Sequence, residues 1–263
     1  MFGVVPKTIW NNLNPADENN MTNWVTRCLL FSFDDKLILF DSGIGNKQDG
    51  KFRSHFSVNE SDDIEKEILH LGYSSDQVTD VVFTHLHFDH CGGAVKWNED
   101  QSGYELTFKN ATYWTHQQQW ELAMNPNPRE KASFLKENLM PILESGKLQF
   151  IDPSNSPFEN IAFEVVSGHT ASMILPVIHY NGNTILFAAD LFPSLAHLPI
   201  PYVMAYDMQP LLTLEEKITI LQKALTNHWI ICFGHDHINE CCTLQQTEKG
   251  VRSLEKFELK SIK

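Results

Sequence analysis

The sequence predicts a mixed α/β fold, with strands gathered into mixed sheets and helices on the outside. Three observations predict it. Short runs rich in Val, Ile, Leu and Phe recur, and each ends on an aspartate or a histidine. Between them lie stretches with helical apolar spacing. The 263 residues show no internal repeat, low-complexity tract or linker. They suffice for one large domain over 1–263, and two compact domains would be a tight fit.

The elements follow in order. "KLILFD" ends at Asp41, and a hairpin is expected just before it at Asp34-Asp35. "SDDIEKEILHLG" (61–72) reads as a helix, with Ile64, Ile68 and Leu71 on one face and Gly72 as its stop. "TDVVFTH" ends at His85, and "DHCGGAV" after it is expected to turn into a helix. Residues 115–145 read as two helices broken by "NPNPR". "AFEVVSGH" ends at His169, "NGN" at 181–183 marks a hairpin, and "NTILFAAD" ends at Asp190. "TLEEKITILQKALTN" opens with a capping box, Thr213 to Glu216, and places Leu214, Ile218, Leu221 and Leu225 on one face. "HWIICFGH" ends at His235. Runs of this length and branching read as buried strands, and their acids and imidazoles would pool along one sheet edge.

Composition narrows the partners. Twenty basic against thirty-three acidic side chains give a net charge of -13. That balance argues against nucleic acid or an anionic membrane, which both need a basic surface. The five cysteines (28, 91, 232, 241, 242) form no C-x-x-C pair. Their number and spacing argue against a disulfide framework or zinc knuckle and read as reduced thiols. No apolar run reaches the length of a membrane span, and "MFGVVPKTIW" lacks the build of a secretion signal. The expected compartment is the cytoplasm, or a secreted or periplasmic one if the N-terminus is processed or trimmed.

"THLHFDH" (84–90) sets three histidines and an aspartate within one loop. Groups this polar are costly to bury unless something binds them. His85 and His87 are two apart and point the same way in an extended segment, whereas Asp89 and His90 fall where the chain turns. Imidazole and carboxylate without thiolate suit two divalent ions, zinc first and iron or manganese next, in a catalytic site. His169, Asp190 and His235 complete two sets. His85, His87 and His169 would surround one ion and Asp89, His90 and His235 the other. Asp190, with two oxygens, is the natural bridge. Two such ions hold a shared hydroxide whose pKa falls toward neutrality.

H-x-H-x-D-H after a strand, then G-H-T, a strand-end Asp and a strand-end His, resembles the metallo-β-lactamase-fold hydrolases across nearly the whole chain. The resemblance implies an αββα sandwich, two mixed β-sheets flanked by helices, with the metals at one edge of the sheets. It makes Asp41 of "FDSG" a residue behind the ligands that orients them. The family's G-H-T-x-G-H carries a second histidine, where this chain has "GHTASM". "MFGVVPK", "THLHFDH", Lys96-Trp97 and "ADLFPSLAHLPIPYVMAYD" are similar to a narrower group, the quorum-quenching N-acyl homoserine lactonases and the methyl parathion hydrolase branch. Members usually carry further sequence ahead of the segment matching "FGVVPK".

The implied activity is opening of an ester or lactone ring, foremost that of N-acyl homoserine lactones. A bridging hydroxide attacks a carbonyl polarised by one ion, while the other stabilises the leaving alkoxide. Asp190 and Asp89 are the candidate catalytic carboxylates, Asp89 first of all as a ligand. Phe2, Val4, Trp10, His197 and Tyr206 are the candidate pocket residues, with plain core packing as the competing reading. His237 reads as a surface or supporting histidine; His55, His70, His116, His179 and His228 read as solvated or structural. Organophosphate or β-lactam hydrolysis on the same fold, a non-catalytic metal or ligand sensor, and a di-iron redox protein stand as alternatives. A small-molecule ester or lactone is the expected partner, and a homodimer is compatible with the reading.

Overall fold

A computed structural model describes residues 1–59 and 63–262. One helical turn, α1 (Lys7–Trp10), precedes the first strand. The chain divides into two units, one of residues 28–151 and one joining 1–27 to 152–263.

In the unit of residues 28–151, β1 (Leu29–Phe33) and β2 (Lys36–Phe40) pair antiparallel across the expected Asp34-Asp35 turn. Asp34 takes the left-handed conformation there, at φ 50°. Strands β3 (Asp80–Val82), β6 (Thr112–Thr115) and β7 (Leu148–Phe150) then add in parallel, in the order β1-β2-β3-β6-β7. Parallel strands are covered on both faces, which is why Val81, Val82 and Phe83 are fully buried. Helices α2 (Gly50–Phe56) and α3 (Ile64–His70) start on the side chains of Asp49 and Asp63, which accept backbone N–H groups of the first turn. Residues 61 and 62 of the helix expected here lie outside the described residues. "DHCGGAV" differs from expectation. A single turn, α4 (Phe88–Cys91), gives way to a tighter turn at Gly92–Ala94 and then to β4 (Val95–Trp97), which pairs with β5 (Tyr104–Leu106). The glycines permit this: a Cβ on Gly93 would lie 2.1 Å from the Ser42 carbonyl oxygen, so the chain passes too close for a longer side chain. Helices α5 (Gln117–Met124) and α6 (Lys136–Glu144) flank the "NPNPR" break.

The other unit holds a six-stranded sheet. It comprises β8 (Ile161–Val166), β9 (Met173–Tyr180), β10 (Asn183–Phe187), β11 (Ile230–Cys232), β12 (Cys241–Thr247) and β13 (Gly250–Phe257), ordered β13-β12-β11-β10-β9-β8. The β9–β10 turn is Asn181-Gly182, both at positive φ (48° and 77°), as a two-residue hairpin requires. β8 and β10 are both antiparallel to β9, and β11 is parallel to β10. Strands β8, β10 and β11 therefore run the same way, and their C-terminal ends share one edge.

Helix α7 (Pro210–Thr226) links β10 to β11 and starts at Pro210 rather than Thr213. Proline at the first helical position loses no hydrogen bond there. Packing turns inward Thr213, Lys217, Ile220, Leu221 and Ala224, and Ile218 of the expected face is exposed. Lys217 can be buried because its ammonium donates to the carbonyls of Pro199 (2.9 Å), Tyr202 (2.9 Å) and Ile200 (3.3 Å). Among the described residues no helix is long and apolar enough to cross a membrane. All five cysteines are free thiols.

Candidate metal centre

Four of the expected ligands, His85, His169, Asp190 and His235, stand three positions past a strand end. The strands close at Val82, Val166, Phe187 and Cys232. Asp41 follows β2 directly.

In the unit of residues 28–151, the rings of His85 and His87 lie 4.6 Å apart and those of His85 and His90 4.0 Å. Ligand atoms of His85 and His87, of His85 and His90, and of Asp89 and His90 fall within 4.8 Å of each other. Buried Asp41 gathers this group from behind. Its carboxylate accepts the Thr84 N–H at 2.8 Å, the Thr84 hydroxyl at 2.8 Å and His90 Nδ1–H at 2.9 Å. With that hydroxyl donating to Asp41, its oxygen accepts His85 Nδ1–H at 3.1 Å. Asp41 reaches this position at φ 57°, a left-handed conformation that aspartate tolerates better than most residues other than glycine. Asp89 is half-buried, with Oδ2 3.6 Å from His90 Nε2. Glu130, which the sequence reading did not single out, is buried with Oε1 3.7 Å from His87 Nε2.

In the other unit, His169 Nδ1–H donates to Asp207 Oδ1 at 3.0 Å and His235 Nδ1–H to the Val25 carbonyl at 2.7 Å. Their Nε2 atoms converge on one carboxylate: Asp190 Oδ2 is 3.2 Å from His169 and Asp190 Oδ1 is 2.9 Å from His235. A carbonyl can only accept, so in neutral His235 the proton sits on Nδ1 and the Nε2 lone pair faces the carboxylate. A lone pair against an anion calls for a cation between them. Carboxylate split between two imidazoles, each imidazole oriented through its other nitrogen, is a donor set that fits divalent metal. The loop bearing His169 is fixed from α7, where Glu216 accepts the N–H groups of Ser167 (2.6 Å) and Gly168 (2.9 Å). Burial, only partly opposed by those two amides, raises the Glu216 pKa. The Thr213–Glu216 pair is therefore not a capping box: Glu216 reaches outward to hold a neighbouring loop.

The expected pocket residues divide. Phe2 and His197 are buried and stack at 4.3 Å and 7°, with Trp10 stacked 5.4 Å beyond Phe2. His197 Nε2–H donates to the Met1 carbonyl at 3.2 Å, and its Nδ1 accepts the Ser194 hydroxyl at 2.7 Å. Burial pushes the His197 pKa down to about 3, so the ring is neutral. Val4 and Tyr206 are exposed, at 94% and 55%. His237 is exposed.

Sequence reasoning missed Thr84, Glu130 and Asp207, and gave Glu216 a different role as half of a capping box. Asp207 closes "PYVMAYD" and belongs to no apolar run, so no strand-end signal marked it. The Val25 carbonyl has no side-chain signature at all. A trio of aromatic rings also escaped notice. Phe52 and Phe56 of α2 meet Phe88 of the ligand loop at 5.1 and 4.9 Å, and Phe56 is exposed. Their spacing in "GKFRSHF", four apart on a helix, was the available clue.

The profile of the metallo-beta-lactamase superfamily matches residues 21–235. No curated protein matches the chain in sequence. Among solved structures, a probable metal-dependent hydrolase from Staphylococcus aureus is similar at 26% identity and TM-score 0.86, over 98% of this chain and 92% of that one. AidC, a dizinc quorum-quenching lactonase in complex with a product, has 22% identity and TM-score 0.75, over 96% and 86%. The hydrolase AbOPH of the beta lactamase superfamily has 18% identity and TM-score 0.78, over 97% and 88%. The match over most of the chain, the mixed sheets flanked by helices and the His/Asp donor groups agree: this chain belongs to the metallo-β-lactamase superfamily and is a metal-dependent hydrolase.

Proposed function

We propose that the protein opens ester or lactone rings, foremost those of N-acyl homoserine lactones. The observation that carries this is the Asp190 carboxylate divided between His169 and His235, the arrangement needed to share one ligand between two ions. His85, His87 and His169 would hold one ion, Asp89, His90 and His235 the other, and Asp190 both. Zinc suits this donor set first, iron or manganese next. When bound, the ions lower the pKa of water and polarise an ester carbonyl. The chain's own part is orientation. Asp41, Thr84, Asp207 and the Val25 carbonyl fix the imidazoles, and Asp89 would be first of all a ligand and only secondarily a proton carrier to the departing alkoxide. Phe52, Phe56 and Phe88 offer an apolar ring surface beside the ligand loop, which suits an acyl chain. The similarity to AidC, a lactonase by its description, supports the same substrate class.

The superfamily match runs across both units, which supports reading 1–263 as one domain. A small-molecule partner without nucleic acid or membrane fits the charge of -13, a homodimer is compatible with the reading, and free thiols suit the reducing cytoplasm.

The test is proton release on ring opening of acyl homoserine lactones of several chain lengths, with bound metal measured alongside. Loss of at least about 100-fold in kcat is expected for Asp190→Ala. Full activity in that variant would overturn the shared-ligand assignment. Turnover of a phosphotriester or β-lactam but of no lactone would overturn the substrate class alone.

A further inference from the structure

The segment from Asn127 to Phe134 closes on His87 within the unit of residues 28–151. Three contacts bring it there. The buried Phe134 ring lies 5.0 Å from the His87 imidazole. The Ser133 carbonyl accepts the N–H of Phe88, the next residue, at 2.9 Å. Glu130, only 3% exposed, sets Oε1 3.7 Å from His87 Nε2. Asn127 fixes that glutamate. Its Oδ1 accepts the N–H groups of Arg129 (2.9 Å) and Glu130 (3.1 Å), and its side-chain amide donates to Glu130 Oε2. A buried carboxylate is costly unless its oxygens meet donors. Asn127 supplies one to Oε2, and Oε1 is turned toward the imidazole.

The other four candidate imidazoles are held at Nδ1: His85 by Thr84, His90 by Asp41, His169 by Asp207 and His235 by the Val25 carbonyl. At His87 the neighbouring oxygen stands at Nε2 instead. Either a proton or an ion can lie between that nitrogen and the carboxylate. Among the described residues Glu130 belongs to none of the groups of donors that lie within 4.8 Å of one another. The carboxylate thus stands on the outer side of the ring, where a proton on Nε2 meets negative charge favourably and a lone pair does not.

We propose that Glu130 is a positioning residue for His87: it holds the ring as the Nε2–H tautomer, so that Nδ1 is the atom offered to an ion. Asn127 aims the carboxylate, the carboxylate sets the tautomer, and Phe134 supports the ring. The two imidazole nitrogens lie on different sides of the ring, so this choice fixes where His87 can place an ion relative to the "THLHFDH" backbone. The role rests on His87 being an ion ligand, as proposed above, and not on the nature of the substrate.

NMR of the zinc-loaded protein with ¹⁵N-labelled histidine tests it without turnover. Long-range proton–nitrogen correlations should show His87 protonated at Nε2, with its Nδ1 signal moving when zinc is added. In Glu130→Leu the Nε2 proton should exchange with water about tenfold faster, while the Nδ1 proton of His90, held by Asp41, keeps its rate. Zinc should bind that variant about 10–100-fold more weakly. Glu130→Gln, whose amide oxygen still accepts, should recover part of both. A zinc-loaded His87 protonated at Nδ1 would overturn the proposal, as would wild-type exchange and zinc affinity in Glu130→Leu. If Glu130→Leu does not fold, the wild-type tautomer decides alone. His87 signals indifferent to zinc, with shifts at His85 and His90, would overturn the ligand assignment itself and the role with it.

Discussion

Asp207 acts on His169 through one buried hydrogen bond of 3.0 Å, and the same carboxylate accepts the Met204 N–H at 3.2 Å. Removing a partner that fixes a ligand's ring and tautomer commonly costs about 10–100-fold in metal affinity or activity. Asp207→Ala is expected to lose activity in that range and to recover part of it with added metal; unchanged metal affinity would exclude the role. His197 shows the opposite use of an imidazole, packed neutral between Phe2 and the Met1 carbonyl. Its pKa is about 3 when folded, against the ordinary 6.5. Below pH 6.5 the unfolded chain takes up a proton that the folded chain refuses. Stability from this residue is thus complete above 6.5 and declines as pH falls toward 3. His197→Gln should show a smaller fall in melting temperature between pH 7 and pH 4.5 than the wild type.

At the scale of elements, the loop that bears His169 is set by α7 rather than by β8. Glu216 accepts two of its amides, and a Cβ on Gly168 would lie 2.3 Å from Thr213 Oγ1 and 2.5 Å from the Thr213 nitrogen. Glu216→Ala leaves those N–H groups without their acceptor, at about 1–3 kcal/mol, and loosens His169. Urea denaturation should show the loss, and metal content should fall with it. Gly168→Ala should destabilise by about 1–3 kcal/mol or more, because backbone on α7 has to move. A denaturation midpoint like that of the wild type would show that the loop has slack the structure does not suggest. The same argument holds for Gly93 against the Ser42 carbonyl.

Across the whole molecule, each unit carries its own set of donors at strand ends, and both sets crowd carboxylate and imidazole in buried positions. Metal binding to the folded chain alone stabilises it by mass action, about 2.7 kcal/mol at a free concentration one hundred times Kd. Chelation should therefore abolish hydrolysis and lower the melting temperature, and Zn²⁺ should restore both. A melting temperature indifferent to chelator would mean that the donor groups hold no structural metal.

The sequence by itself determined the strands, the order of the motifs and the residues that end them. Short runs rich in β-branched residues suit buried strands, and so many imidazoles and carboxylates at strand ends are costly to bury unless something binds them. It also supplied the Asn181-Gly182 turn, since only such residues take two positive φ angles cheaply. Tertiary structure decided what stands behind each ligand. Asp207, Glu130 and Glu216 lie far in sequence from the side chains or loops they meet, and the Val25 carbonyl is a backbone atom that every residue possesses. The buried face of α7 was likewise decided by packing, because burying Lys217 depends on three carbonyls of residues 199, 200 and 202. Periodicity registers the apolar side chains of a helix. It does not register the acceptors that a distant loop brings to a lysine.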